Sequence, residues 1–205
     1  MSDSWQDLPE ESTEAQEDFR DSNSEFIDGL REAEDNGLVD IGALGAWSVS
    51  TYKQGSGVKE LRDDSPETFW QSDGMQPHHL DVHFSKKVTI SRVSLFTDYS
   101  LDESYTPSKI HILTGNGFHD LVEVVTLNLD KPTGWTTVVF SEKEDDSDGL
   151  KTFLLRLNIA ENHQHGKDTH LRALKIYSKK ATFTLDHSVI GPFTSRKLLA
   201  ESTIR

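Results

Sequence analysis

His79-Leu80-Asp81-Val82-His83-Phe84 alternates polar and apolar side chains, and Phe153-Leu154-Leu155-Arg156-Leu157-Asn158-Ile159 sets Phe153, Leu155, Leu157 and Ile159 against Leu154, Arg156 and Asn158. A period of two is the pattern of a strand with one face in a core and the other toward solvent. Working outward, Val88–Asp98, Ser108–Thr114, Leu121–Leu127, Trp135–Ser141 and Leu174–Ser178 read as further strands. Turn-rich joints separate them, at Gly55-Ser56-Gly57, Gly115-Asn116-Gly117, Lys131-Pro132-Thr133-Gly134 and 145–149. Many short strands without helices between them predict an all-β fold, an antiparallel sandwich or jelly roll. The apolar phase slips between Ile90 and Val93, which predicts a bulge around Ser91–Arg92. Trp47, Trp70 and Trp135 stand in strand contexts and are expected in the core.

The flanks differ from this body, which spans 41–180. Residues 1–40 hold fourteen acidic and two basic side chains and few apolar ones, the composition of a largely disordered head. One helix is expected inside it, at 23–36. Ser22 and Glu25 stand at capping-box spacing, Phe26, Ile27, Leu30 and Ala33 share a face, and Asn36-Gly37 closes the helix. Packing against its own domain is the simpler use of that face, and docking to a partner the other. Residues 181–205 lose the alternation and form a flexible tail ending in Ile204-Arg205.

Composition narrows the function classes. A chain of 205 residues suits one domain with appendages. Its net charge of −14 resides almost wholly in the head, so the body offers no basic stripe for nucleic acid. No apolar run is long enough for a membrane span and no signal peptide is evident, so a nuclear and cytoplasmic protein is expected. Cysteine is absent, which removes thioester chemistry and Cys-ligated zinc.

Two stretches crowd polar chemistry beside apolar strands: Ser100–Ser108 and Asn162–His170. Rigid β scaffolds carry binding sites on such loops. His163, His165, His170 and Asp168 invite a zinc site, but no metalloenzyme signature accompanies them. Neither glycine joint has the lysine of a phosphate loop. No metal or cofactor is therefore expected. The run Glu142–Asp148 is expected to be a solvated hairpin loop, and Arg196-Lys197-Leu198-Leu199 satisfies Arg-x-x-Leu only as chance would allow. A sugar site is one alternative, with Tyr105 as its aromatic plate and Asn162 and Gln164 as hydrogen-bonding partners.

Leu61-Arg62-Asp63-Asp64-Ser65-Pro66-Glu67-Thr68-Phe69-Trp70-Gln71-Ser72-Asp73-Gly74 resembles the fingerprint of discoidin-like, galactose-binding-like jelly rolls. Asp102-Glu103-Ser104-Tyr105-Thr106-Pro107-Ser108-Lys109-Ile110, with Gly115-Asn116 and Phe118-His119, resembles the Doc domain more specifically. So do Asn162-His163-Gln164, Gly166-Lys167-Asp168-Thr169-His170 and Lys175-Ile176-Tyr177. The isoleucine–arginine end is similar to that of the stand-alone Doc subunits of the anaphase-promoting complex. Lys167 stands where many members have arginine, keeping the charge without the bidentate fork.

The resemblance implies a non-catalytic subunit of a multisubunit ubiquitin ligase. Such a subunit shares the recognition of destruction-box degrons with an activator protein and raises processivity. Asp102, Glu103, Ser104, Tyr105, Asn162, His163, Gln164, Lys167, Asp168, Thr169 and His170 would form the degron-binding loops. Ile204 and Arg205 would dock on a tetratricopeptide-repeat subunit, with a cullin-like subunit nearby. A Doc domain of another cullin-type ligase is the neighbouring alternative.

Overall fold

In a computed structural model, residues 11–140 and 149–179 are described. The acidic loop at 142–148, Arg196, Leu199 and the docking residues Ile204 and Arg205 lie outside them. Helix α1 (Glu11–Asp35) leads into β1 (Leu38–Asp40), a 3-10 turn (Gly42–Leu44) and β2 (Gly45–Val49). Then come α2 (Val58–Leu61), β3 (Trp70–Gln71), β4 (His78–Ile90) and β5 (Arg92–Asp98). The short helix α3 (Tyr99–Asp102) and a 3-10 turn (Glu103–Tyr105) precede β6 (Pro107–Gly115), β7 (Val122–Asn128) and β8 (Thr133–Val139). Strand β9 (Leu150–Asn162), a turn at His163–His165, β10 (His170–Leu171) and β11 (Ala173–Lys179) complete the order.

The strands form a four-stranded sheet, β1-β11-β5-β8, facing a five-stranded sheet, β2-β4-β9-β6-β7, with β3 and β10 as a separate pair. Every pairing is antiparallel, so the expected β-sandwich stands. Leu80, Val82 and Phe84 of β4 and Leu155, Leu157 and Ile159 of β9 join Val93, Leu95, Leu174 and Ile176 of the facing sheet in one core. Trp70 is fully buried there and Trp47 packs at its margin. Phe153 departs from its expected face. It is half-buried, whereas its neighbour Leu154 is fully covered.

The expected strand Val88–Asp98 is two strands. Ser91 lies between β4 and β5, its N–H donating to Tyr177 O and its carbonyl accepting from Phe140 N–H. The slip in apolar phase thus marks the chain crossing from one sheet to the other. The register shift of β4 against β9 lies instead between His83 and Val88.

The head departs further from expectation. It is helical from Glu11, not from residue 23, and Leu38–Asp40 pairs with β11. Tertiary packing supplies what composition lacks. Phe26 sits edge-on to Phe96 (5.0 Å) and stacks on Trp135 (5.2 Å), whose indole N–H donates to Phe26 O at 3.2 Å. Gly29 permits the approach, because a Cβ there would lie 2.3 Å from the Trp135 ring. Burying an aromatic side chain contributes on the order of 2 kcal/mol. Ser22 is not a cap, since its hydroxyl donates to Asp98. Ile27 lies about a quarter turn from Phe26 and remains exposed. Gly37 does close the helix as expected, in the left-handed conformation.

Candidate functional site

Asp98 starts the first polar loop. Its carboxylate accepts from the N–H groups of Ser100 and Leu101 and from the Ser100 hydroxyl, turning the chain as it leaves β5. The second loop leaves β9 beside it, held by the His163 N–H donating to Thr106 O at 2.9 Å. The loops then touch so closely that a Cβ on Gly166 would fall 1.7 Å from the Ser104 carbonyl oxygen. Glycine is required there by backbone proximity.

Buried polar groups lock this contact. Asp102, 5% exposed, accepts from His170 Nδ1 at 2.9 Å and from Arg172 Nε and Nη2, each at 2.8 Å. Arg172 spends another N–H on Pro66 O. Burial pushes the Asp102 carboxyl up, but the hydrogen bonds and charges of His170 and Arg172 outweigh it and hold the group below its ordinary value. The His170 ring lies between Phe69 (4.1 Å) and Tyr105 (4.3 Å), stacked on both. Asn162 is buried, its amide donating to Asp168 O and Gly166 O. Thr169 is buried too, its N–H donating to the Ser72 hydroxyl and its hydroxyl to Tyr105 O. Asp102 and Thr169, expected to face a ligand, therefore spend their polar groups on the protein itself, and so does the amide nitrogen of Asn162.

The remaining expected residues reach the surface. Glu103, Tyr105, Gln164 and Lys167 are exposed; Ser104, His163, Asp168 and His170 are half-buried. Gln164 donates to the Tyr99 hydroxyl at 3.0 Å, and the His163 ring meets the Tyr99 ring edge-on. Glu103, Gln164 and His165 all have positive φ, which strained functional loops concentrate. The Asn162 Oδ1, His163 Nε2 and His170 Nε2 atoms are buried without a hydrogen-bond partner. His170, pinned in its stack, cannot join His163 and His165. Among the described residues no group of three or more histidine, aspartate or glutamate side chains converges as a metal site.

A third segment belongs to this surface and escapes sequence reasoning. Gln76 Nε2 donates to Gly166 O at 2.8 Å, and the His78 ring bonds Lys167 O at 2.6 Å. The Gly74 N–H reaches Asp168 Oδ1 at 3.4 Å, and Met75 beside it is 91% exposed. Only the Ser72-Asp73-Gly74 end of the fingerprint pointed here, and it identified a fold. Arg172 was missed as well, because it stands in the break between β10 and β11, where no strand period marks it.

A family model described as anaphase-promoting complex, subunit 10 matches residues 11–203. The chain belongs to the anaphase-promoting complex subunit 10 family. Its relatives in that family include the anaphase-promoting complex subunit 10 of Dictyostelium discoideum, 40% identical over 90% of this chain and 96% of the relative. The human subunit 10 is 42% identical over 80% of this chain and 85% of its own length. The DOC1 subunit of Saccharomyces cerevisiae is 36% identical over 74% and 61%. Among solved structures, a family 32 carbohydrate-binding module of Clostridium perfringens, in complex with galactose, superposes with a TM-score of 0.57. At 14% identity over 69% of this chain and 99% of the module, that likeness shows the jelly-roll fold of this chain and nothing of its ligand.

Proposed function

We propose that this chain is a non-catalytic subunit of the anaphase-promoting complex ubiquitin ligase, active in the nucleus and cytoplasm. It forms with an activator protein a co-receptor for destruction-box degrons, and so keeps substrates bound through successive ubiquitin transfers. One observation carries the reading. Two loops more than fifty residues apart are locked into one surface by Asp102, His170, Arg172 and the Gly166–Ser104 contact.

That surface suits an Arg-x-x-Leu peptide. Glu103 and Asp168 supply carboxylates for the arginine, and Leu101 and Tyr105, 48% and 39% exposed, supply apolar area for the leucine. Ser104, His163 and Gln164 offer hydrogen bonds to the peptide backbone, while Lys167 adds a cation at the rim. Asp102, Asn162, Thr169 and His170 position these groups. A short motif binds such a surface weakly. With the activator holding the same substrate, the second contact is effectively intramolecular and slows release. In the assembly Ile204 and Arg205 dock on a tetratricopeptide-repeat subunit and the sandwich rests against the cullin-like scaffold.

The test is ubiquitination by complex lacking this subunit, with wild type or a Glu103→Ala, Gln164→Ala, Asp168→Ala variant added back at equal incorporation. The expected result is fewer ubiquitins per substrate binding event with the variant. Full processivity would move the degron site off these loops. Removing Ile204 and Arg205 tests docking separately: co-purification with the repeat subunit should weaken while the domain stays folded.

A further inference from the structure

Strand β2 is an edge of the five-stranded sheet, and among the described residues no strand pairs with its outer side. The register determines which backbone groups lie open. Ser50 N–H donates to His79 O, and β2 pairs with β4 in the same antiparallel ladder. Hydrogen-bonded pairs alternate along such a ladder, so Ala46 and Ser48 bond toward β4. Trp47 and Val49 direct their N–H and C=O groups to the open edge.

A groove of about 450 Å³ lies at that edge, lined by Trp47, Val49, Tyr52 and Val58 together with Gly55 and Gly57. Tyr52 is 60% exposed. A Cβ on Gly55 would meet nothing within 4 Å, so the groove is open at that point. Lys59 lines it and Arg62 lies beside it, two cations in a chain of net charge −14. The Arg62 guanidinium lies 4.8 Å from the centre of the Trp47 ring. Among the described residues Arg62 and Lys59 take part in none of the ion pairs. Glu60, the one carboxylate in the lining, already accepts from Gly57 N–H at 2.8 Å.

We propose that this edge is a second docking site, which takes an extended segment of a partner protein as an added strand on β2. One apolar side chain of that segment sits between Trp47 and Tyr52, and carboxylates on either side of it meet Lys59 and Arg62. Main-chain hydrogen bonds give such strand addition its affinity, and alternate side chains give it selectivity. Charge complementarity selects an acidic segment over a basic one. The site is separate from the degron loops and does not depend on their role.

The experiment uses the full chain and a short fluorescent peptide of alternating valine and serine, with one central leucine flanked by aspartates. A second peptide carries lysines in place of the aspartates. Saturable binding of the acidic peptide only, with slowed hydrogen exchange at the Trp47 and Val49 amides, is expected. Tyr52→Ala should weaken it, and Lys59→Glu with Arg62→Glu should weaken it about tenfold, from two attractions lost and two repulsions gained. These three side chains are exposed, so the variants keep the fold. No binding, equal binding of both peptides, unchanged exchange at Trp47 and Val49, or indifference to the charge reversals would each overturn the proposal. Protection of those amides in the free chain that disappears on deleting residues 1–10 would make the occupant this chain's own head, and would also overturn it.

Discussion

The Asp102 carboxylate holds the His170 ring by its Nδ1 at 2.9 Å, and so joins two loops through residues 68 positions apart in the chain. The same carboxylate receives the Arg172 guanidinium, and Phe69 and Tyr105 clamp the ring from either side. The polar centre of the candidate site is thus a structural joint, and the groups open to a ligand surround it.

Breaking that joint should be costly. Asp102→Asn leaves Arg172 buried beside a neutral amide, and losing one partner of a buried pair costs about 3 kcal/mol or more. Urea unfolding of the variant should show a lower midpoint with an unchanged slope. A midpoint within error of wild type would mean that the pair contributes no net stability.

The same carboxylate sets a pH dependence. Its pKa in the folded chain lies below the ordinary 3.8, so folding favours the charged form. That stability is fully present above about pH 4 and is lost as pH falls through the lower, folded value. Wild type should therefore lose more stability than Asp102→Asn when acidified from pH 5 to pH 2.5. Parallel acid limbs in denaturant titrations would contradict this.

Gly166→Ala places a methyl group against the Ser104 carbonyl. Backbone cannot yield as a flexible side chain would, so the loops must separate, at a cost of about 1–3 kcal/mol. We expect amide shifts confined to 99–106 and 162–170, together with lower processivity in the reconstituted ligase. Normal processivity with displaced loops would argue against a degron surface here.

Helix α1 offers an independent check. Phe26→Ala removes a ring buried among Phe96, Trp135 and Leu30 and should cost about 3–4 kcal/mol. Hydrogen exchange over 22–35 should accelerate far more than exchange in β4 and β9. Uniform acceleration would instead make the helix part of the sandwich's own cooperative unit.

Much of the sandwich was legible because burial on one face imposes a period of two on a strand, as Leu80, Val82 and Phe84 display. The sheet crossing at Ser91 was visible only as a lapse in phase, since a bulge and a crossing disturb the alternation alike. Strand β1 and the early turns of α1 carry no period of their own strong enough to read. The order of β1 comes from its pairing with Tyr177, Ser178 and Lys179 across the sheet.

The sequence by itself determined the all-β class, the two polar loops and the family resemblance, because each is written in residue types and their local spacing. Tertiary structure alone decided that Asp102, Asn162 and Thr169 turn inward while Glu103, Gln164 and Lys167 face out. It also brought the segment at 72–78 to the site. The reason is physical. A carboxylate beside an open rim and a carboxylate beneath Arg172 look the same along a chain, and only long-range contacts decide which one is desolvated.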